Sequence, residues 1–342
     1  MDRFRREDYE YELPPQLIAQ EGMEPRDAAR LLVLRRDGVL EHRQVRDVGE
    51  YLRPGDALVL NDTRVLRARL RGRRSSGGAV ELLLLEQLGA GTWRILGRPA
   101  RALHPGEELS FGEGRLTGRV LDRAPDGVRV VEFRWEGSFA ALLEEVGELP
   151  LPPYIRRQPA DPERYQTVYA RRDGSAAAPT AGLHFTPDLL ARLSGAGVHL
   201  VFVTLHVGLD TFRPVRERDI REHAMHTEFC ELSSEAAGVL NEARRAGGRI
   251  VAVGTTTVRT LETAAGSDGV IRGFQGRTGL FIYPGYRFRA VDALWTNFHL
   301  PGSTLLMLVS AFGGYARMRA AYLEAVRRGY RFYSFGDAML IL

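Results

Sequence analysis

From Thr186 to the end, the chain alternates stretches apolar throughout with stretches apolar along one stripe, and this alternation most restricts its fold. Residues 198–207 are almost continuously apolar, the pattern of a strand covered on both faces, and residues 249–253 repeat it. Between such runs lie helix signals. Thr186-Pro-Asp188 offers an N-cap, a first-turn proline and a carboxylate suited to the positive end of a helix dipole. Leu189, Leu190 and Leu193 form the apolar stripe that follows, and Gly195 and Gly197 end it. Further helices are predicted over 233–246, over 258–265, over 303–312 with Ser303 as cap, and over 320–328. With residues 57–60 as one more strand, the reading is an α/β domain.

Residues 67–147 interrupt that pattern. Short strand-like runs recur at 79–85, 93–96, 115–121 and 127–135. Turn signals separate them: Gly77-Gly78, Gly89-Ala-Gly91, His104-Pro-Gly106, Gly112-Glu-Gly114 and Pro125-Asp-Gly127. A small antiparallel barrel or sandwich is expected there, inserted into a main domain made of 1–66 and 148–342. A length of 342 residues suits two domains.

Composition removes whole classes of chemistry. The chain has no lysine, so all 47 basic side chains are arginine. That excludes a lysine Schiff base and a Walker-type phosphate lysine. Cys230 is the only cysteine, which excludes a cysteine-held iron–sulfur cluster, a Cys-rich zinc site and an internal disulfide. No run approaches the ~20 apolar residues that span a bilayer, and the first residues are charged rather than leader-like, so a cytoplasmic protein is expected. The net charge of +4 fits an arginine-rich surface as well as a nucleic-acid partner. Clustering favours the second: Arg64, Arg67, Arg69, Arg71, Arg73 and Arg74 lie close together, and the odd-numbered four fall on one face of a strand.

Three segments place polar residues where a core should be: Ala177-Ala-Pro-Thr-Ala-Gly-Leu-His-Phe-Thr186, Val253-Gly-Thr-Thr-Thr-Val-Arg-Thr-Leu-Glu262 and Trp295-Thr-Asn-Phe-His-Leu-Pro-Gly-Ser-Thr304. Buried polar groups are costly unless hydrogen-bonded, so such stretches usually line a site. One composite pocket is expected, with Thr180, Gly182, Thr296 and Asn297 among its lining. Histidines concentrate near bends: His184 beside Gly182, His206 beside Gly208 and His299 beside Pro301. Strand ends are where α/β proteins place ligands. Histidine can give or take a proton without extreme tuning, so these three lead as acid–base candidates, with Asp62, Glu228 and Glu262 as carboxylate partners. The alternative for each histidine is a satisfied structural group.

Gly254-Thr-Thr-Thr257 turns from strand to helix. The unpaired amides of a helix start suit a carboxylate or phosphate, so Gly254, Thr255 and Thr256 are cofactor-binding candidates. The plainer alternative is threonines capping their own helix. Arg259 and Glu262 either pair with each other on the surface or both face the pocket. Asn61-Asp-Thr-Arg64 follows a strand end, and an Asx-type turn is its plain reading. Tyr154, Tyr165, Gln166 and Tyr169 border a proline-rich hinge and are either packing or a platform for a base. His223-Ala-Met-His226-Thr-Glu228 permits a metal reading, weakened by its non-zincin spacing.

These segments carry a family resemblance. Together with Leu60-Asn-Asp-Thr-Arg-Val65, Leu151-Pro-Pro-Tyr-Ile155, Tyr165-Gln-Thr-Val-Tyr169, His206-Val-Gly-Leu-Asp-Thr-Phe-Arg-Pro-Val215 and Gly336-Asp-Ala-Met-Leu340, the chain resembles the S-adenosylmethionine:tRNA ribosyltransferase-isomerases, the QueA family of queuosine biosynthesis. The resemblance runs from Tyr11 to Leu340 and is poorest over roughly 70–147. It implies a barrel-like main α/β domain carrying a small β-barrel. It implies no metal and no iron–sulfur cluster, and S-adenosylmethionine as co-substrate. The ribosyl group moves onto the aminomethyl group of 7-aminomethyl-7-deazaguanine at a tRNA wobble position, and adenine and methionine leave. It also turns Arg259 and Glu262 toward the pocket, since their whole run is a family motif. Asn61, Arg64, Tyr154, Tyr165, Gln166, Tyr169, Arg67 and Arg69 become tRNA-side candidates. No obligatory protein partner is inferred. Two other classes compete: a metal-dependent hydrolase on His223, His226 and Glu228, and a non-catalytic RNA-binding protein on the arginine-rich segment. The second leaves the polar-lined α/β segments unexplained.

Overall fold

The computed structural model describes residues 3–124, 127–152, 154–156, 161–208 and 215–342. Residues 209–214 of the motif after His206, and 125–126 of one expected turn, lie outside them. The chain divides into two compact units. One comprises Met1–Thr63, Pro153–Arg172 and Ala178–Leu342; the other comprises Arg64–Pro152 and Asp173–Ala177. The second contains the 67–147 stretch expected as an insertion.

The first strands are β1 (Arg30–Leu34), β2 (Leu40–Gln44), β3 (Ala57–Asn61) and β4 (Thr63–Val65). The second unit contributes β5 (Arg69–Arg74), β6 (Ala79–Gly89), β7 (Thr92–Arg98), β8 (Glu108–Phe111), β9 (Leu116–Arg123), β10 (Arg129–Trp135), helix α1 (Phe139–Val146) and β11 (Gly147–Glu148). After β12 (Arg172–Ser175) come α2 (Pro187–Gly195), β13 (His199–Leu205), β14 (Glu228–Leu232), α3 (Ser234–Arg245) and β15 (Ile250–Val253). The chain ends with α4 (Thr255–Ala264), β16 (Phe274–Thr278), β17 (Ala293–Asn297), α5 (Thr304–Gly313), α6 (Tyr315–Arg327) and β18 (Ala338–Ile341).

In the first unit nine strands form one mixed sheet, ordered β16-β14-β13-β3-β15-β17-β18-β1-β2. β13, β3, β15 and β17 run parallel, and β18 runs against β17. The carboxyl ends of those four strands therefore meet the amino end of β18 at one end of the sheet. Alternate side chains explain the unbroken apolar runs. Leu58, Leu60, Val251, Val253 and Trp295 pack on one face with Phe185, Leu189 and Leu193. Val59, Val201, Val203, Ile250, Ala252 and Leu294 pack on the other with Leu240, Val258, Leu261 and Met307 from α3, α4 and α5. Each Val, Leu, Ile, Phe or Met among them contributes roughly 1.5–3 kcal/mol on full burial. Thr186 and Ser303 cap their helices as expected, and Ser233, read as the first residue of its helix, caps it instead; each accepts a backbone N–H in the first turn. Two helices begin earlier than the apolar pattern suggested, α4 at Thr255 and α6 at Tyr315.

In the second unit β5-β6-β7-β10-β9-β8 closes on itself through β8 and β5, a six-stranded antiparallel barrel with β11 added beside β5. Leu70, Leu82, Ile95, Phe111, Leu116, Val131 and Phe133 fill it. Helix α1 was not expected in a stretch read as strands and turns. Ser138 caps it, and Leu142 and Leu143 bury against the barrel core. Its Ala-Ala-Leu-Leu-Glu-Glu run is made of good helix formers, a signal the turn-based reading passed over. Arg129 is buried and donates to the carbonyls of Leu103, Gly127, Val128 and Ala100, so the cation is hydrogen-bonded without a carboxylate. Among the described residues no helix is long and apolar enough to cross a membrane.

Candidate active site

Three consecutive buried polar residues run from the last position of β3 to the first of β4, and each grips a different neighbour. The Asn61 amide donates to the Leu205 carbonyl (3.0 Å) and to the Thr256 hydroxyl (3.2 Å), and its oxygen accepts from the backbone N–H of Leu205 (3.0 Å) and Thr63 (3.2 Å). Asp62 accepts from the Thr204 hydroxyl and from Arg171, both at 2.6 Å. The Thr63 hydroxyl lies 2.7 Å from Nδ1 of His206. The plain Asx-turn reading covers only the bond to the Thr63 N–H; the longer reach fastens β3 to β13 and to α4.

His206 follows β13 directly and is half-buried. Its backbone N–H donates to the Phe229 carbonyl (3.0 Å), and its ring stacks on Phe229 at 5.6 Å with 20° between planes. At the next strand end Gly254 has φ 91°, a conformation that a residue with Cβ resists, which lets β15 turn straight into α4. No side chain caps this helix. Thr257 donates instead to the Val253 carbonyl, and Thr256 accepts from Asn61, so these threonines tie strand ends together. The first-turn amides of α4 lack intrahelical acceptors by construction.

A second group surrounds β17. Thr180 donates to the side-chain oxygen of Asn297 (3.1 Å), whose amide donates to the Tyr333 carbonyl (3.2 Å). Thr296 is 2.8 Å from Nε2 of His299. His299 is buried, and burial alone pushes its pKa down to about 3, so the ring is neutral. His184 is also buried, with Nδ1 3.1 Å from the Ala181 carbonyl and Nε2 2.9 Å from that of Gly336. Burial lowers its pKa, against the upward pull of those two carbonyls. Both histidines thus turn ring nitrogens toward internal partners, whereas His206 stays half-exposed.

The carboxylates separate in the same way. Glu228, buried at the start of β14, accepts from the Gly208 N–H (2.8 Å) and from Arg259, and lies 3.4 Å from His226. Desolvation works to raise its pKa, but His226 and the Arg259 guanidinium together hold it down to about 2. Arg259 also donates to the Leu280 and Thr278 carbonyls. Glu262 does not meet Arg259 at all. Its oxygens accept from the N–H groups of Arg289 (2.9 Å), Ala290 (2.9 Å) and Val291 (3.2 Å) and from the Tyr286 hydroxyl (3.1 Å). It clamps a loop, a geometry that neither the surface-pair nor the shared-pocket expectation contained.

Around the hinge, Tyr154 bonds Ser334 and lies 4.0 Å from the Tyr333 ring, Tyr165 meets Phe335 edge-on, and the Gln166 carbonyl accepts from Arg26 (2.8 Å). Tyr169 packs near Phe202, and its hydroxyl sits over Gly182. A Cβ on Gly182 would fall 2.0 Å from that hydroxyl oxygen and 3.0 Å from the Thr167 methyl. Gly182→Ala is therefore expected to destabilise the protein by about 1–3 kcal/mol, with a smaller loss when Tyr169→Phe is added. Urea midpoints measure both, and an unchanged midpoint in the single variant rules the contact out.

The arginines of the second unit do alternate, with Arg69, Arg71 and Arg73 outward of buried Leu70. They have local partners: Arg67 with Glu144 (3.0 Å), Arg69 with Glu81 (4.0 Å), Arg71 with Glu148 (3.1 Å) and Arg73 with the Gly77 carbonyl (3.3 Å). Arg64 opens the same unit. Of the three side chains of the metal reading, His226 and Glu228 meet each other (3.4 Å), while His223 pairs with Glu217 instead (2.8 Å). Among the described residues no group of three His, Cys, Asp or Glu could hold a metal ion. The sequence reading missed Thr63, Thr204, Phe229 and Arg171; the first lay inside a quoted motif, Thr204 and Phe229 become visible only through pairing of β3, β13 and β14, and Arg171 only through its bonds to Asp62.

Comparison with known proteins agrees with the motifs. A family profile described as queuosine biosynthesis protein matches residues 6–341. An S-adenosylmethionine:tRNA ribosyltransferase-isomerase of Symbiobacterium thermophilum is 58% identical over 340 residues, covering 99% of this chain and 100% of the relative. One from Moorella thermoacetica is 59% identical over 341 residues, with 99% and 100% covered. The crystal structure of S-adenosylmethionine tRNA ribosyltransferase from Thermotoga maritima is similar with a TM-score of 0.57 at 45% identity, covering 98% of this chain and 100% of that one. With a full-length family match and relatives well above half identical, this chain belongs to the S-adenosylmethionine:tRNA ribosyltransferase-isomerase family of queuosine biosynthesis.

Proposed function

We propose that this protein transfers the ribosyl moiety of S-adenosylmethionine to the aminomethyl group of 7-aminomethyl-7-deazaguanine at a tRNA wobble position. The transferred group is rearranged to the epoxycyclopentanediol of epoxyqueuosine, and adenine and methionine are released. The observation that carries the assignment to a site is the half-buried His206 at the carboxyl end of β13, held by Thr63 and Phe229. The start of α4 lies at the same end of the sheet, joined to β3 through Asn61 and Thr256.

The chemistry divides naturally among these groups. The sulfonium of S-adenosylmethionine acidifies the neighbouring ribose 5′ hydrogens, and His206 is the base that removes one. The amides of Thr255 and Thr256 at the start of α4 take the methionine carboxylate, assisted by the dipole of that helix. Thr180, Thr296 and Asn297 shape the wall around β17. Glu228 with Arg259, and Glu262 with its loop, hold the frame rather than the reactants, and Asp62 anchors Arg171. The reading needs neither a metal nor an iron–sulfur cluster, and its tRNA substrate puts the enzyme in the cytoplasm.

The decisive experiment incubates the protein with S-adenosylmethionine and tRNA bearing the aminomethyl base. Free adenine and methionine are expected in equal amounts, together with a heavier wobble nucleoside by mass spectrometry. Adenine release that ignores the modified base, or no release at all, defeats the proposal.

A further inference from the structure

We infer that Arg171 receives a backbone phosphate of the tRNA beside the nucleotide being modified, and that Asp62 is the residue that aims it. The inference rests on the proposed tRNA substrate, and it adds which side chain of the first unit meets the nucleic acid. Asp62 fixes both the backbone and the side chain of Arg171. Its carbonyl accepts from the backbone N–H groups of Arg171 (2.9 Å) and Arg172 (3.1 Å), and its carboxylate accepts from Nε of Arg171 (2.6 Å). The guanidinium carbon lies 4.6 Å from the centre of the Phe202 ring, which covers one face of the cation. The carboxylate side chain is 3% exposed and the arginine 59%. The outer face and the two terminal NH2 groups of Arg171 have no partner among the described residues.

Other arginines that neutralise a buried carboxylate spend those groups inside the protein. Arg30, on Asp337, also donates to the Arg328 and Gly329 carbonyls, and Arg249, on Asp56, to that of Tyr51. Arg171 answers Asp62 with its Nε edge alone. The terminal fork, the part of arginine that matches phosphate oxygens, is left facing solvent and already oriented. Its place is the second ground. Phe202 and Thr204 project from one face of β13, and His206 follows at the same two-residue spacing. Along that row Phe202 carries Arg171, Thr204 bonds Asp62 and His206 meets Thr63. Members of such a row stand about 7 Å apart. A guanidinium one or two repeats from His206 lies where the sugar–phosphate of a nucleotide whose base has entered the site must pass. Phosphate contacts position a nucleic acid without reading its sequence, so Arg171 orients the nucleotide and touches no reacting atom.

Binding of tRNA to the full chain, followed by fluorescence anisotropy at several salt concentrations, tests the contact. Arg171→Gln is expected to weaken binding about tenfold at low salt and to reduce the slope of log K against log salt by about one. Affinity for S-adenosylmethionine, by calorimetry, should change less than about twofold. The single change leaves the Asp62 carboxylate buried without its cation, so Asp62→Asn/Arg171→Gln is the companion variant. It should regain thermal stability without regaining tRNA affinity. Arg245→Gln removes an arginine of α3 that is 73% exposed, and it should keep the wild-type slope. Wild-type tRNA affinity and slope in the folded double variant overturn the inference and make Arg171 a cation that only neutralises Asp62. Equal losses of tRNA and S-adenosylmethionine binding overturn it as well, and so does a wild type that does not bind tRNA. A wild type that binds tRNA but releases no adenine removes the proposed reaction instead, while the salt slopes still decide the contact.

Discussion

His206→Gln is expected to lower kcat for adenine release by a factor of about 10² to 10⁴, the usual contribution of a positioned base, with S-adenosylmethionine affinity nearly unchanged. The comparison that gives this result meaning is with His184→Gln and His299→Gln. Burial leaves His299 neutral with a pKa of about 3, and Nε2 faces the Thr296 hydroxyl. His184 has both ring nitrogens against main-chain carbonyls. Their variants should lose stability first and activity only in proportion to it. Rates and calorimetric binding on folded protein separate the three. A His206 variant with wild-type kcat, or a His299 variant that stays stable but inert, transfers the role of base away from His206.

The largest stability effect is expected at Glu228. Its carboxylate and the Arg259 guanidinium are both about 95% or more withdrawn from solvent, and they meet beside the Gly208 N–H. Removing one partner of such a pair leaves the other charge buried, so Glu228→Gln should cost about 3–5 kcal/mol in urea unfolding near neutral pH. The sign of its pH dependence follows from the lowered pKa. Unfolded, the side chain titrates near 4.5; folded, it stays ionised down to about 2. The stabilisation is complete above pH 4.5 and is lost as pH falls toward 2. The gap between wild type and variant should narrow steadily across that window, other groups cancelling in the difference. A gap that is constant or widens on acidification excludes the ion pair as its source. Because Glu228 also holds the Gly208 amide, two residues beyond His206, a loss of turnover should accompany the loss of stability.

Much of the architecture was already written in local patterns. Continuous apolar runs at 198–207 and 249–253 require cover on both faces, and the sheet has helices on both. Thr186, Ser233 and Ser303 mark helix starts because their hydroxyls answer amides only a few residues away. Gly254 announces a turn that residues with a Cβ resist. Helix α1 is the local miss: its good helix formers sit inside a stretch dominated by turn signals, and its two buried leucines gain their energy from the barrel wall rather than from periodicity.

Side-chain roles were legible only as residue types. The run Asn61-Asp-Thr63 says that polar groups follow a strand, but not that Asn61 reaches Leu205 and Thr256, Asp62 reaches Thr204 and Thr63 reaches His206. Those partners are 142 to 195 positions away in sequence. Arg259 and Glu262, three apart on one helix, look like a pair by spacing. Folding sends them to β14 and to the 286–291 loop, because β14 supplies Glu228 to the first and that loop supplies amides to the second. His184, His206 and His299 are likewise the same residue beside the same kind of bend. The sequence by itself determined the family, the α/β layering and the short set of residues able to move a proton. Only the tertiary structure decided which of them is walled in and which stays half-open, since burial and long-range hydrogen bonds are properties of strand pairing rather than of any local run.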